Sequence, residues 1–263
     1  MDIKDERIDG GNAFDWGRTS HDYARYRDIY PREFYEKIAK RGLCVSGQNV
    51  LDVGTGTGVL PRNMYSLGAH WTGTDVSEKQ IEQAKALSEG MNIDYCVSSA
   101  ENLDFPDKSF NVITACQCFW YFRHELTASK FHRLLKKDGR LLVLVMEWLP
   151  FEDKIADASE KLVLKYSPQW SGAGERMHPI QIPECYTELF DVVFRDKYKL
   201  EVHFTRESWN GRMKACRGIG ASLSQEKIDE WEAEHMEMLS RLAPPEFEVT
   251  HYAAMAELRR KDI

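Results

Sequence analysis

Residues 51–58 read Leu-Asp-Val-Gly-Thr-Gly-Thr-Gly, and this stretch gives the strongest indication of the fold class. Residues 49–53 are a short apolar run that stops at Gly54, which is typical of a buried parallel strand. The three alternate glycines let the backbone turn tightly and approach a ligand closely. Asp75 closes the next strand-like run, where a carboxylate can accept both hydroxyls of a ribose. Loop and carboxylate together predict a site for a nucleotide-type cofactor.

Strand-like and helix-like segments alternate around this stretch. Strands are predicted at 49–53, 70–75, 93–97, 110–116 and 140–147, and helices at 58–67, 78–89 and 125–136. Such alternation indicates βαβ units and a parallel sheet with right-handed crossovers. Two further strands, 199–205 and 248–258, enclose a predicted helical pair at 206–217 and 224–242. The predicted fold class is therefore α/β, a Rossmann-like, seven-stranded and mostly parallel sheet flanked by helices.

We interpret the whole chain, residues 1–263, as a single domain with four segments. Residues 1–45 form an N-terminal helical cover with a helix that opens at Pro31, because proline is favoured at helix starts. Residues 46–147 form the cofactor-binding core. Residues 148–198, rich in proline and glycine, are predicted to be a cap inserted after the fifth strand. Residues 199–263 supply the last strands and the helices between them.

The composition excludes several classes of protein. The chain has 43% hydrophobic and 11% aromatic residues, too many for a disordered protein. Its formal charge of −7 argues against a nucleic-acid partner held by phosphate neutralisation. The aliphatic run 141–146 is far shorter than the roughly 20 residues of a membrane span. The charged N-terminus lacks a secretory signal, and six scattered cysteines suit reduced thiols, so we expect a cytoplasmic protein without a membrane partner.

The glycine spacing separates two cofactor classes. Dinucleotide dehydrogenases use Gly-x-Gly-x-x-Gly, whereas here the third glycine is Gly58 and the dehydrogenase position holds Val59. A nicotinamide-dependent oxidoreductase is therefore kept as the less favoured enzyme class.

Four ordered motifs carry a resemblance to a known family: residues 51–58, 74–77, 100–113 and 134–141. Over about residues 20–147, the chain resembles class I S-adenosylmethionine-dependent methyltransferases of the small-molecule branch, which includes ubiquinone-biosynthesis-type and trans-aconitate-type enzymes. The resemblance implies S-adenosyl-L-methionine as cofactor, S-adenosyl-L-homocysteine as product and a small molecule as partner. It assigns no metal, no catalytic residue and no oligomeric state.

The resemblance also implies a set of cofactor-binding residues: Tyr26, Arg27, Gly54, Thr55, Gly56, Gly58, Asp75, Val76, Ser77, Ala100, Glu101 and Gln117. Within that set the glycine loop lines the methionine portion, and Asp75 holds the ribose. Ala100 and Glu101 border the adenine, and Gln117 lies beneath the sulfonium. Tyr26 or Arg27 meets the cofactor carboxylate, for which arginine is well suited.

Candidate substrate-binding residues lie outside these motifs: Trp120, Tyr121, Trp148 and Arg212. The aromatic residues either wall a substrate pocket or simply pack between cap and core. Arg212 or Arg217 is hypothesised to meet an acidic group on the substrate. The alternative for the run 209–217 is a solvated helix face.

Two features of the sequence leave the chemistry open. The aromatic segment 119–121 lacks the histidine that trans-aconitate-like members carry, so a general base is assigned only by region, to His124, His178, His203 or His251. Cys116 and Cys118 flank Gln117, so they either handle thiols or metalloids or are small buried hydrophobic residues. We expect methyl transfer by in-line displacement. A cofactor-binding regulator without catalysis remains the non-enzymatic alternative.

Overall fold

The computed structural model describes residues 3–262, which form two compact units. The first, here called the glycine-loop unit, comprises residues 30–146, 178–198 and 253–262. The second, here called the arginine unit, comprises residues 3–29, 147–177 and 199–252. Each unit is described by itself below.

A seven-stranded sheet organises the fold. Its strands are β1 (Asn49–Val53), β2 (His70–Asp75), β3 (Ile93–Val97), β4 (Phe110–Cys116), β5 (Leu135–Trp148), β6 (Phe190–Thr205) and β7 (Glu246–Arg260). The spatial order is β3-β2-β1-β4-β5-β7-β6, and the first five strands pair in parallel. The predicted α/β class is confirmed, and the first four strands have the bounds that were predicted for them. Because the strand order reverses between β1 and β4, the carboxyl ends of these two strands flank the crevice where such sheets bind ligands.

Five helices belong to the glycine-loop unit: α2 (Arg32–Lys40), α3 (Val59–Met64), α4 (Glu78–Leu87), α5 (His124–Leu134) and α7 (Glu184–Leu189). Pro31 precedes α2, as predicted. The side chain of Ser77 caps α4 by accepting a hydrogen bond from the backbone of Gln80. The central strands are apolar on both faces, and Leu141, Leu142 and Leu144 are fully buried.

The fifth strand begins earlier than predicted. Residues 137–139, which separate the predicted helix 125–136 from the predicted strand 140–147, lie inside β5, where Asp138 has a φ of 58°. The pairing with β4 steps from Leu135 to Arg140 across this point. The turn geometry is therefore present, but as an irregularity within a longer strand.

The sixth strand also begins earlier than predicted, at Phe190 instead of residue 199, so the last residues of the predicted cap are strand. The apolar–polar alternation of this strand is interrupted in the sequence, because the face towards α2 carries the charged residue Asp196. Lys37 on α2 pairs with Asp196 at 3.1 Å and lies 4.1 Å from the ring centre of Tyr198. A charged pair at this edge strand replaces the apolar residue that the pattern requires.

Four helices build the arginine unit: α1 (Ser20–Tyr26), α6 (Lys154–Tyr166), α8 (Arg206–Lys214) and α9 (Gln225–Leu242). Helix α8 packs against α1 and α9, and α6 packs against α9. Gly211 on α8 permits a close approach of α1, because a Cβ there would overlap the ring of Tyr26. Within residues 3–262, no helix has the length and apolar character needed to cross a membrane.

Candidate cofactor site

The glycine loop between β1 and α3 is held in a backbone conformation that favours glycine. Gly54, Gly56 and Gly58 have φ values of 68°, 56° and 75°. A Cβ at Gly54 would lie 2.7 Å from the sulfur of Cys118, and one at Gly58 would overlap the hydroxyl of Tyr95. The loop therefore needs glycine at both positions, for the left-handed turn and for close packing.

Asp75 ties this loop to the end of β2. Its Oδ2 accepts a hydrogen bond from the backbone N–H of Gly56 at 3.0 Å, and its Oδ1 accepts one from Ser77 at 2.9 Å. A carboxylate has about four lone-pair sites, and the backbones of Gly56, Ser77 and Val76 all contribute to holding this one, which leaves capacity for a further donor. The residue is half-buried, and burial raises the pKa of its carboxyl group. Asp75 thus presents an oriented pair of acceptors, which suits two adjacent hydroxyls.

Gln117 follows β4 with a φ of 64°, a left-handed conformation that is uncommon for a residue with a side chain. Its backbone N–H donates to the carbonyl of Leu144 at 3.0 Å, and its Nε2 donates to the carbonyl of Met146. The buried Oε1 accepts no hydrogen bond from any residue between 3 and 262. A buried acceptor without a donor indicates a position where a ligand or water completes the hydrogen bonding.

The adenine-side residues lie in a short 3-10 helix, Ala100–Asn102. Ala100 is buried, whereas Glu101 is half-buried and its Oε1 accepts a hydrogen bond from the backbone of Arg123 at 2.9 Å. Val76, beside Asp75, has 38% of its surface exposed. The hydroxyl of Ser77 is used as the α4 cap described above.

The two cysteines that flank Gln117 have partners of their own. Cys118 donates to the carbonyl of Val53 at 3.0 Å, and Cys116 lies 3.7 Å from the hydroxyl of Tyr30. Burial raises the pKa of the Cys118 thiol well above its usual value, so the thiolate is disfavoured. In the described part of the chain, no three His, Cys, Asp or Glu side chains are grouped as metal ligands. Cys118 therefore packs beside the loop, whereas Cys116 contacts Tyr30.

Sequence reasoning missed Asp52, which lies beneath the loop. Its side chain is buried and accepts hydrogen bonds from the hydroxyls of Thr55 and Thr114, each at 2.6 Å. The hydroxyl of Thr55 therefore holds the loop in place from below. The available signal was an acidic residue in the middle of an apolar strand, where only a partnered carboxylate is tolerated.

Asp52 makes the stability of the fold pH-dependent. Burial raises its pKa to about 6, whereas an unfolded chain loses this proton near pH ~4. The protonated Asp52 carboxyl group stabilises the fold fully below pH ~4. This contribution to the free energy of unfolding is lost as the pH rises through the folded pKa, at about 1.4 kcal/mol per pH unit. We expect Asp52→Asn to gain about 2–3 kcal/mol of unfolding free energy relative to wild type between pH ~4 and ~7. Urea denaturation across this range measures it, and a pH-independent difference contradicts the expectation.

The predicted substrate residues fall into both units. Trp120 and Tyr121 belong to the glycine-loop unit, with ring centres 5.9 Å apart, and Trp120 has 43% of its surface exposed. Trp148 and Arg212 belong to the arginine unit and are buried. Trp148 donates from Nε1 to Glu160 at 2.6 Å, and the Arg212 guanidinium lies 4.8 Å from the Trp148 ring centre.

The alternative of a solvated helix face at residues 209–217 is wrong. Trp209, Arg212 and Arg217 are all buried, because α8 packs against two neighbouring helices. Arg217 is engaged with Asp9, since its Nε donates to Oδ2 at 2.6 Å and its Nη2 to Oδ1 at 2.9 Å. Of the two arginines proposed to meet a substrate acid, Arg217 is thus already occupied.

Tyr26 and Arg27, predicted to meet the cofactor carboxylate, also lie in the arginine unit. The hydroxyl of Tyr26 donates to Glu207 at 3.3 Å, and Nη2 of Arg27 donates to the hydroxyl of Tyr23 at 2.9 Å. Of the four candidate bases, His251 is buried, and burial lowers its pKa to about 3, so it is neutral at pH 7.

The switch-point crevice, the glycine loop and the Asp75 carboxylate together form the candidate cofactor site of this Rossmann-like sheet. In agreement, residues 51–143 match a family model described as "Methyltransferase domain".

Several characterised proteins are similar to parts of this chain. Demethylmenaquinone methyltransferase of Thermotoga maritima is 36% identical over 119 residues, covering 44% of this chain and 50% of the relative. The ubiquinone/menaquinone biosynthesis C-methyltransferase UbiE of Neisseria meningitidis is 31% identical over 153 residues, covering 51% and 62%. The chain thus spans about half to three fifths of the length of these relatives.

Solved structures share the fold at low sequence identity. The YcgJ protein of Bacillus subtilis has a TM-score of 0.53 at 17% identity, covering 88% of this chain and 100% of that one. Phosphoethanolamine N-methyltransferase 2 of Haemonchus contortus, solved with S-adenosylhomocysteine, has a TM-score of 0.55 at 18% identity, covering 92% and 58%. These similarities agree with the Rossmann-like sheet.

Proposed function

We propose that this protein transfers a methyl group from S-adenosyl-L-methionine to a small-molecule acceptor. The observation that carries the proposal is Asp75, whose two carboxylate oxygens are oriented at the edge of the glycine loop by the backbone N–H groups of Gly56 and Ser77. Relatives that methylate carbon and oxygen atoms in quinone biosynthesis support the same reaction class.

The residues present fit the cofactor. Asp75 holds the ribose hydroxyls, the loop 54–58 approaches the methionine portion through its backbone, and Ala100 and Glu101 border the adenine. Gln117 offers its unpartnered Oε1 near the sulfonium end. The cofactor, when bound, supplies a methyl group on a cationic sulfur, which is a good leaving group.

The contribution of the protein is then alignment of the acceptor in a dry site for in-line displacement. Such alignment can supply about 7–11 kcal/mol of the barrier. A general base is needed only where the acceptor must lose a proton. Burial lowers the pKa of His251 to about 3, so this histidine would be a weak general base near neutral pH.

Thermal unfolding with three ligands tests the cofactor class. S-adenosylmethionine and S-adenosylhomocysteine are expected to raise the unfolding midpoint, because ligand at 100 times Kd adds about 2.7 kcal/mol of stability. A response to NADH alone would support the oxidoreductase and overturn the proposal.

Transfer of a labelled methyl group from the cofactor into a metabolite extract tests the activity. We expect label in a small molecule and equimolar S-adenosylhomocysteine. Cofactor binding without any transfer would identify a regulator instead.

A further inference from the structure

Arg212 is a buried cation without a carboxylate partner. Only 1% of the residue is exposed. Its Nη1 points to the sulfur of Cys216 at 3.5 Å, which is a weak acceptor, and its guanidinium stacks on Trp148. Among residues 3–262, Nε of Arg212 has no hydrogen-bond acceptor and no acidic side chain lies within ion-pair distance.

The charges around Arg212 do not compensate for its burial. Burial lowers the pKa of Arg212, and the neighbouring positive charge of Arg27 lowers it further. Glu147 acts in the opposite direction, but among residues 3–262 it forms no ion pair with Arg212. The environment of Arg212 therefore favours the binding of an anion.

Arg217, three residues beyond the end of α8, shows what a satisfied buried arginine looks like in the same unit. Its guanidinium binds both oxygens of Asp9, which also accepts hydrogen bonds from the backbone and hydroxyl of Ser171. A buried charge without such a partner costs several kcal/mol. A bound anion would compensate for the unpaired buried charge of Arg212.

We propose that Arg212, with Arg27 beside it, binds the carboxylate group of a small anionic ligand within the arginine unit. A guanidinium matches a carboxylate with two parallel N–H···O bonds, and Nε of Arg212 is a free donor of this kind. Trp148 lies against one face of the guanidinium.

Thermal unfolding with simple anions tests the site without knowing the substrate. The purified full chain is titrated with malonate, acetate, phosphate and chloride at constant ionic strength. We expect malonate and acetate to raise the midpoint of the wild type more than chloride does, and R212M to lose this response. The matched control R241Q removes an exposed arginine of the same unit, one that pairs with Glu237, and should respond as the wild type does.

The unfolding temperature of R212M without anions distinguishes an anion-binding arginine from one that only stabilises the fold. Because methionine removes an uncompensated buried charge and keeps an unbranched apolar side chain as far as the position of Nε, R212M without anions should unfold at the same or a higher temperature than the wild type.

Binding of S-adenosylhomocysteine separates the two proposals. R212M should keep it, so loss of the carboxylate response alone concerns the anion site, whereas no binding by the wild type concerns the methyltransferase itself. Equal responses of wild type and R212M to malonate, or a wild type that responds to carboxylates no more than to chloride, overturn the anion site. A response to phosphate alone overturns the carboxylate assignment.

Discussion

Asp75→Ala is expected to abolish detectable binding of S-adenosylhomocysteine. The variant loses both acceptor oxygens for the ribose, and hydrogen bonds to a charged group are worth about 1.5–3 kcal/mol each. Two such bonds correspond to roughly 10²- to 10⁴-fold in Kd. The substitution also releases the backbone of Gly56 and Ser77. Isothermal titration calorimetry of wild type and variant measures the change.

Asp94→Ala provides the matched control for this experiment. Asp94 is an exposed aspartate on the adjacent strand β3, so its removal changes the net charge equally without touching the loop. We expect its affinity to stay within about threefold of the wild type, in line with the small effects of surface substitutions. If Asp75→Ala also stays within that margin, Asp75 does not hold the ribose.

Gly54→Ala is expected to destabilise the fold by about 2–5 kcal/mol. The left-handed φ of 68° costs about 1–2 kcal/mol for a residue with a side chain. The new Cβ would lie 2.7 Å from Sγ and 2.8 Å from Cβ of Cys118, and such overpacking costs about 1–3 kcal/mol. Either Cys118 or the loop must move, so cofactor affinity should fall together with stability. Urea denaturation and calorimetry report the two effects.

Gly47→Ala separates the two causes. Gly47 has a φ of 82°, but a Cβ there would meet nothing within 4 Å. This variant therefore bears only the backbone strain, about 1–2 kcal/mol, and should leave cofactor binding unchanged. Equal losses of stability in Gly54→Ala and Gly47→Ala would mean that the approach of Cys118 is not what requires glycine at position 54.

The parts of the fold that sequence analysis predicted correctly are those determined by local pattern. The bounds of β1 to β4 follow from short apolar runs that end at glycine, aspartate or a polar turn. The glycine spacing likewise encodes a backbone conformation over five residues. The early start of β6 was missed because Asp196, a charged residue on the covered face, is neutralised by Lys37 from a distant helix. Lys37 and Asp196 lie far apart in the sequence, so a local sequence pattern cannot reveal their pairing.

The same distinction applies to the site. Sequence alone determined that a glycine loop and an acidic strand end would form a nucleotide-type cofactor site, because both lie within a single βαβ unit. Tertiary structure decided that Asp52 supports the loop through Thr55 and Thr114, and that Arg217 is paired while Arg212 is not. Asp9 and Arg217 are 208 positions apart, so which buried arginine finds a carboxylate depends on packing. Charge compensation in a protein interior is a property of neighbours in space.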